Sequence, residues 1–405
     1  MEIGREELTT EHTGTTIGGA LLIAGTCMGA GMLALPIATG ASGFFPAMFV
    51  NLVCWLFMLS TGLLFLEATL WMPDGANVIS MSERFLGRAG KWLGGGFFLF
   101  LYYCLMVAYI AGGAPTVVES VRQLTGYQMG IGLGFVIFPL VLASILLVGA
   151  WFVDRINWIL MSGLIISYFL LIGIGAQDVD PAFLLKKNWK LSLFAMPILF
   201  SAYGYHNIIP SISTYLRRSR SHLRLAIILG TTLPFVVFSI WQWLIIGSVP
   251  LENLEDAASQ GVHASRLLSQ VTGIPWVGHI VLFFGFFALT TSILGVSLSM
   301  IDFLGDGFKM GRKGFQRLAL TLLVFVPPSI LAFNYPGIFI EALGVAGGFG
   351  EAFLNGLLPI ALVWVGRYHM KLEGRPLLFG GRSLLALLFV FTLFIMALEA
   401  IHLFG

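Results

Sequence analysis

The feature that most constrains the fold is the recurrence of apolar runs of about 20 residues along the whole chain. A helix of that length crosses a hydrocarbon core about 30 Å thick, where no water is present to pair with backbone groups. Only 10% of the 405 residues are charged, against about 25% in soluble domains. A transmembrane β-barrel would show segments of roughly 10 residues with alternating polarity, and the sequence shows none. The chain is therefore predicted to be an all-α polytopic membrane protein.

Eleven transmembrane helices are predicted, and no soluble domain separates them. The predicted spans cover residues 16–39, 44–72, 92–118, 129–152, 156–176, 192–215, 225–248, 275–303, 317–334, 337–366 and 383–404. The whole chain, 1–405, is interpreted as a single transmembrane transporter domain. Linker 77–92 is predicted to be a short amphipathic surface helix. Linker 251–273 either covers an external entrance or is a surface helix without that role.

The distribution of Lys and Arg predicts the orientation, because cytoplasmic loops carry an excess of these residues. With a cytoplasmic N-terminus, 17 of the 22 basic residues fall inside and five fall outside. We therefore expect the N-terminus inside and, after eleven spans, the C-terminus outside. The N-terminal stretch MEIGREELTTEHTG lacks the basic region of a cleaved signal peptide, so the first span is expected to be retained.

The first span contains the stretch GTCMGAGMLALP, which is unusual for a helix that must cross a bilayer. One interpretation is close helix packing, since Gly25 and Gly29 form a small-xxx-small pattern. However, Gly29-Ala30-Gly31 followed by Pro36 exceeds what a packing face requires. The pattern predicts an unwound segment, which is tolerated at membrane depth only where it is buried or lines a cavity.

The sixth span, within FAMPILFSAYGYHNIIPSI, contains a second predicted break around Gly204, followed by Pro210. The first and sixth spans run in opposite directions through the predicted topology. Broken helices at corresponding places in two oppositely oriented halves are typical of inverted-repeat transporters. We therefore predict a five-plus-five inverted repeat, with repeat one at about 16–176, repeat two at about 192–366 and an extra helix at about 383–404.

Unwinding would give the two breaks a binding chemistry. Freed amides at a half-helix N-terminus bind a carboxylate without an arginine, and freed carbonyls accept an ammonium group or a cation. A zwitterion therefore suits the site, which favours a transporter. The candidate substrate-binding residues are Gly25, Thr26, Met28, Gly29, Ala30 and Gly31 in the first span, Tyr102 and Tyr103 in the third, and Ser201, Ala202, Tyr203, Gly204 and Tyr205 in the sixth.

Three stretches resemble a known family: GGALLIAGTCMGAGMLALPIATGASGFFP, LEATLWMPDGANVISMSERFLG and FSAYGYHNIIPSI. They are similar to the bacterial aromatic and hydroxy amino acid permeases of the amino acid–polyamine–organocation superfamily, and most similar there to the tyrosine-specific and tryptophan permeases. The resemblance implies an inner-membrane location and proton-driven uptake of an aromatic amino acid, with tyrosine the first choice and tryptophan or phenylalanine next. Some proton-coupled relatives carry a lysine in the fifth span, but NWILMSGLIISYFLLIGIGA has none. The proton carrier is then elsewhere, or the driving ion differs.

Coupling residues are sought among ionisable and hydroxyl side chains inside the spans. His206 is interpreted as a proton carrier or substrate contact, or alternatively as a neutral histidine that caps freed carbonyls. Glu351 is the second candidate for the proton. Thr290 and Thr291 are candidates for a sodium site, although such hydroxyls often bond back to their own helix.

The remaining carboxyl groups in the spans are expected to lie away from the site. Glu67 and Glu341 are near span ends and are predicted to reach headgroups or water. Glu399 and His402 are on the eleventh span and are predicted to be peripheral.

Other functional classes are less consistent with the sequence. There is no pore-loop filter motif of a channel, and no Walker motif, HExxH motif or Ser-His-Asp cluster of an enzyme. A sodium-coupled or hydroxy amino acid (serine or threonine) symporter is the alternative, and a channel or structural membrane protein is the remote one. The expected partners are an amino acid, a proton or sodium ion, and the bilayer. No nucleic acid, cofactor or metal is expected, and three cysteines without a CxxC pair indicate no disulfide framework.

Overall fold

The structure is a computed structural model that describes residues 14–254, 267, 276–311 and 313–405. These residues form helices and connecting turns, with no β-strand among them. The longer helices are α1 (Thr16–Cys27), α2 (Ala30–Gly40), α3 (Phe44–Leu70), α4 (Val78–Thr125), α5 (Ile131–Val148), α6 (Ala150–Gly175), α11 (Arg220–Ser248), α12 (Val277–Phe308), α13 (Gly314–Asn334) and α16 (Gly381–Phe404). The shorter helices are α7 (Pro181–Leu184), α8 (Trp189–Leu193), α9 (Met196–Ala202), α10 (Ile209–Tyr215), α14 (Phe339–Val345) and α15 (Leu358–Trp364).

Within the described residues, nine helical stretches are long and apolar enough to cross a membrane, and the bent pair α1–α2 makes a tenth. The stretch immediately before α16, Phe339–His369, is composite. It consists of α14, a π-helical segment at Ala346–Leu357, α15 and a second π-helical turn at Val365–His369. Large apolar side chains cover the outer surface, and Trp151, Trp158 and Ile159 on α6 are each at least 70% exposed. Such a surface suits contact with lipid rather than water.

The first predicted break is confirmed. Helix α1 ends at Cys27, α2 begins at Ala30, and their axes are bent by 56°. Met28 is extended and Gly29 lies outside the helical region, at φ −172° and ψ −141°. The interruption is therefore narrower than the sequence predicts, because Ala30 and Gly31 are already helical.

The second predicted break is also confirmed. Helices α9 and α10 have seven residues each, and non-helical backbone at Tyr203–Tyr205 and a single 3₁₀ turn at His206–Ile208 separate them. Pro197 and Pro210 lie in the first turns of the two helices, where a missing amide hydrogen leaves no bond unmade. Neither helix is long enough to cross a bilayer alone.

The predicted surface helix and the third span form one element, α4, which bends at Gly87. Asn77 and Ser80 form a capping box that starts the helix, with both reciprocal hydrogen bonds at 2.9 Å. Gly87 has φ 71° and ψ −163°, a backbone conformation that is almost restricted to glycine. The sequence therefore places a bend where the surface segment turns into the membrane-crossing segment.

Two predictions about carboxyl groups are wrong. Glu67 does not reach water: its side chain is 6% exposed and forms a two-pronged ion pair with Arg367, at 2.7 and 2.8 Å. Glu399 is not peripheral, because it is 2% exposed and packs against Gly344 and Gly348. The prediction rests on the place of the eleventh span outside the two repeats, whereas in the structure the small glycines opposite Glu399 make room to bury it. The predicted external helix at 251–273 lies almost entirely outside the described residues.

Candidate functional site

The two helix breaks meet through glycine. A Cβ atom on Gly31 would lie 2.9 Å from Cα and 3.0 Å from Cβ of Ala202, the last residue of α9. A Cβ on Gly29 would overlap the hydroxyl of Ser292 on α12. The absence of side chains at these two positions thus allows α2 to approach α9 and α12 closely.

A second set of glycine contacts joins the sixth predicted span to the tenth. Gly204 lies against the carboxyl group of Glu351, which is in the π-helical segment Ala346–Leu357. Gly347 of that segment lies against the Pro197 carbonyl and the Ser201 amide of α9. π-Helical turns inside α-helices are frequent at functional sites, and this one brings an acidic side chain to the unwound backbone.

The amides at the start of α2 are partly available. The Ala30 amide donates to Oγ of Ser292 at 2.9 Å, and that hydroxyl donates to the Ala288 carbonyl at 2.9 Å. The amides of Gly29 and Gly31 have no acceptor within the described part of the chain. Two of the three amides predicted to bind a carboxylate therefore remain unpaired at a helix N-terminus, where the dipole favours negative charge.

His206 is enclosed by protein. Its Nε2 lies 3.0 Å from Oγ1 of Thr61, and the rings of Phe65 and Tyr205 flank it. Its Nδ1 is buried and has no hydrogen-bond partner among the described residues. The histidine therefore does not simply cap a backbone carbonyl, which leaves one ring nitrogen available for a proton or a ligand.

Glu351 and Tyr102 also lie next to the second break, against Gly204 and Asn207. Glu351 is 4% exposed and accepts a hydrogen bond from the side-chain amide of Asn355. The Tyr102 hydroxyl accepts from Nδ2 of Asn207 at 2.7 Å. Both polar groups are thus held by asparagines, in a region where an unpaired polar group would be costly.

The other predicted tyrosines separate into two groups. Tyr203 and Tyr205 are fully buried and donate to Oδ1 of Asn51 at 2.8 Å and to the Met58 carbonyl at 3.0 Å, both on α3. Tyr103 turns away from the breaks and donates to the Leu323 carbonyl on α13 at 2.9 Å.

Several hydroxyl groups bond to their own helices. Thr26 is exposed and donates to the Leu22 carbonyl at 2.9 Å, Ser201 donates to Ile198 at 2.8 Å, and Thr291 donates to Ala288 at 3.1 Å. Thr290 differs, because its buried hydroxyl has no partner within the described ranges.

The last predicted site residues flank the first break. A Cβ atom placed on Gly25 would lie 3.8 Å from Cε of Met161 on α6. Met28 is half-buried between α1 and α2. In the part of the chain that the structure describes, no three His, Cys, Asp or Glu side chains come together as a metal-binding group.

Sequence reasoning did not identify the polar residues that support the site. Asn51, Asn207 and Asn355 each pair with a predicted site residue, Thr61 pairs with His206, and Ser292 pairs with Ala30. The available signal was the presence of asparagine inside apolar runs, since polar side chains in membrane helices are usually kept for contacts with other helices.

Two interrupted helices meet within a bundle of apolar helices, and free amides lie next to one break and a carboxyl group next to the other. This arrangement is typical of a multi-pass membrane transport protein. The comparison with protein families agrees: a family model described as "Tryptophan/tyrosine permease family" matches residues 12–399. The chain belongs to this family, whose members are transporters rather than enzymes.

The chain is similar to several characterised transporters over most of its length. It is 33% identical over 360 residues to "Tyrosine-specific transport system 2" of Haemophilus influenzae, which covers 86% of this chain and 87% of the relative. It is 29% identical over 394 residues to "Tryptophan-specific transport protein" of Pseudomonas aeruginosa, with 95% and 94% covered. It is 28% identical over 340 residues to "Low affinity tryptophan permease" of Escherichia coli, with 81% and 82% covered.

Proposed function

We propose that the protein is a secondary active transporter that imports an aromatic amino acid across the bacterial inner membrane by proton symport. Tyrosine is the first choice of substrate, followed by tryptophan or phenylalanine. The names of the relatives support an aromatic substrate and include both tyrosine and tryptophan. The observation that carries the proposal is the convergence of two helix breaks at Gly31 and Ala202.

In this proposal the protein has eleven spans. The broken pair α9–α10 is counted as the sixth, in addition to the ten stretches that meet the criterion of length and hydropathy. Repeat one contains α1–α6, repeat two contains α9–α15, and α16 is added outside them. The N-terminus is cytoplasmic and the C-terminus external, as the distribution of basic residues predicts. Alternating access would arise from movement of one repeat or bundle against the other around the two breaks.

The substrate carboxylate is proposed to bind the unpaired amides of Gly29 and Gly31 at the N-terminus of α2. Backbone amides aligned with a helix dipole stabilise an anion without a cationic side chain. The half-helix also has little freedom to rearrange, because Ser292 fixes the intervening Ala30 amide.

Replacement of Gly31 tests this site. Gly31→Val places a branched side chain against the backbone of Ala202, so we expect labelled tyrosine uptake to fall to background in cells while the protein still inserts in the membrane. The matched control is Gly173→Val on α6, where an added Cβ meets no atom within 4 Å. Wild-type uptake by the Gly31 variant would remove the proposed carboxylate site.

His206 is the proposed proton carrier, because its Nδ1 is buried and unpaired beside the second break. His206→Gln keeps a side chain that can bond to Thr61 but cannot carry a proton. We expect this variant to exchange internal for external substrate at a near-normal rate and to lose accumulation against a gradient. Full concentrative uptake would exclude the role, and loss of uptake on replacing sodium with choline would favour the sodium alternative at Thr290 and Thr291.

A further inference from the structure

Among the residues that the structure describes, the carboxyl group of Glu351 has no cationic partner. Asn355, one helical turn further along the π-helical segment, donates to Oε2, while Oε1 faces Gly204. No Lys or Arg side chain in the described ranges forms an ion pair with it. A buried carboxylate is costly unless a positive group pairs with it. The position therefore suits a cation that arrives from outside the protein.

The same carboxyl group is close to the first break. Gly31 contacts Ala202, and Gly204 contacts Glu351, so the two contact residues of the sixth predicted span are two positions apart. Two residues extend over at most about 7 Å. Cys27, the last residue of α1, also lies within electrostatic range of Glu351. The carbonyl end of α1 is the negative end of its dipole, so it adds to the negative potential on this side.

Groups of both polarities are therefore present near the two breaks. In an α-amino acid the ammonium nitrogen and the carboxylate carbon share the α-carbon and are about 2.5 Å apart, so one small zwitterion needs both kinds of group within a short distance. Among the described residues, the unpaired amides of Gly29 and Gly31 supply donors next to the first break, and Glu351 supplies an acceptor next to the second.

We propose that Glu351 binds the α-ammonium group of the substrate. This inference rests on the proposed transport function and refines it, because it makes Glu351 a substrate ligand and leaves the transported proton to His206. The ammonium group forms a charge-assisted hydrogen bond with the carboxylate, which is stronger than a bond between neutral groups. The site thus selects amino acids over carboxylic acids that have the same ring but lack the amino group.

Binding to the purified full-length protein in detergent tests the proposal without any ion gradient. The probes are L-tyrosine and its analogue without the amino group, 3-(4-hydroxyphenyl)propanoate, and likewise L-tryptophan and indole-3-propanoate. We expect the wild-type protein to prefer each amino acid over its analogue by about 30-fold or more, as expected for a desolvated charge pair. Glu351→Gln should reduce this preference to a few-fold, mainly by weakening the amino acid. Glu399→Gln, which changes a buried carboxyl on α16 that packs against Gly344 and Gly348, is the matched control and should keep the preference.

An unchanged preference in the Glu351 variant, with or without loss of accumulation in vesicles, would overturn the ammonium site. If the wild-type protein binds neither aromatic amino acid but binds serine, the proposed substrate class is wrong. The ammonium site is then tested by the same comparison between serine and 3-hydroxypropanoate. If the folded wild-type protein binds no amino acid, both the proposed function and this inference fail.

Discussion

A buried ion pair joins Glu67 on α3 to Arg367 after α15. The guanidinium group meets both carboxylate oxygens, and the Leu377 amide donates to Oε2 at 2.7 Å. The two side chains are 6% and 11% exposed. Removal of one member of such a pair leaves the other charge without its partner in a poorly solvated position.

Glu67→Gln is therefore expected to lower the free energy of unfolding by about 3 kcal/mol. Glu83→Gln is the matched control, because Glu83 forms a 2.9 Å ion pair with Lys91 while both side chains are more than 40% exposed. An exposed pair of this kind contributes about 0.5 kcal/mol. Denaturant titration in detergent measures both variants, and equal losses would show that the buried pair does not hold α3 to the end of the tenth predicted span.

At the scale of the elements, the bend in α4 has a local cause that can be separated from packing. Gly87 adopts φ 71° and ψ −163°, and a Cβ there would meet no atom within 4 Å. Gly87→Ala therefore adds backbone strain alone, and we expect a loss of about 1–3 kcal/mol in unfolding free energy.

Gly96 lies nine residues further along α4, and an alanine at this position is expected to have the opposite effect on stability. It has ordinary helical backbone and equally open surroundings. Gly96→Ala should stabilise the protein by about 0.5–1 kcal/mol, because alanine loses less conformational freedom in a helix than glycine. Unfolding measurements in which both alanine variants changed stability in the same direction would contradict the assignment of the bend to Gly87.

The elements also show what sequence patterns can and cannot predict. Both helix breaks are predicted from glycine and proline inside apolar runs. Glycine has no Cβ and so allows non-helical backbone, and proline has no amide hydrogen to donate to the helix. The sequence predicts a single span at 337–366 and gives no sign of the π-helical segment at Ala346–Leu357. Its geometry depends on close approaches by Gly347 and Gly350 to α9 and α4, which are tertiary contacts that no local pattern specifies.

At the scale of the whole molecule, the positions of the helices were predicted well because the bilayer sets their length and polarity. The burial of Glu67 was predicted wrongly because it depends on a contact that is distant along the chain. Most helix ends lie within a few residues of the predicted spans, because a hydrocarbon core requires runs of about 20 apolar residues. The partner of Glu67 is 300 positions away along the chain, so its burial could not be predicted from neighbouring residues. The partners of Asn51 and Asn207 are likewise more than 100 positions away, whereas Asn355 pairs with Glu351 four residues before it.

Uptake of labelled tyrosine and tryptophan into proteoliposomes that contain the purified protein tests whether the protein imports aromatic amino acids with protons. The account predicts accumulation when the external medium is more acidic than the lumen, collapse of the accumulation with an uncoupler, and no effect of replacing sodium with choline. Excess unlabelled tyrosine, tryptophan or phenylalanine should block uptake, whereas serine and leucine should not. Correctly inserted protein that accumulates no aromatic amino acid, or that does so on a sodium gradient alone, would contradict the account.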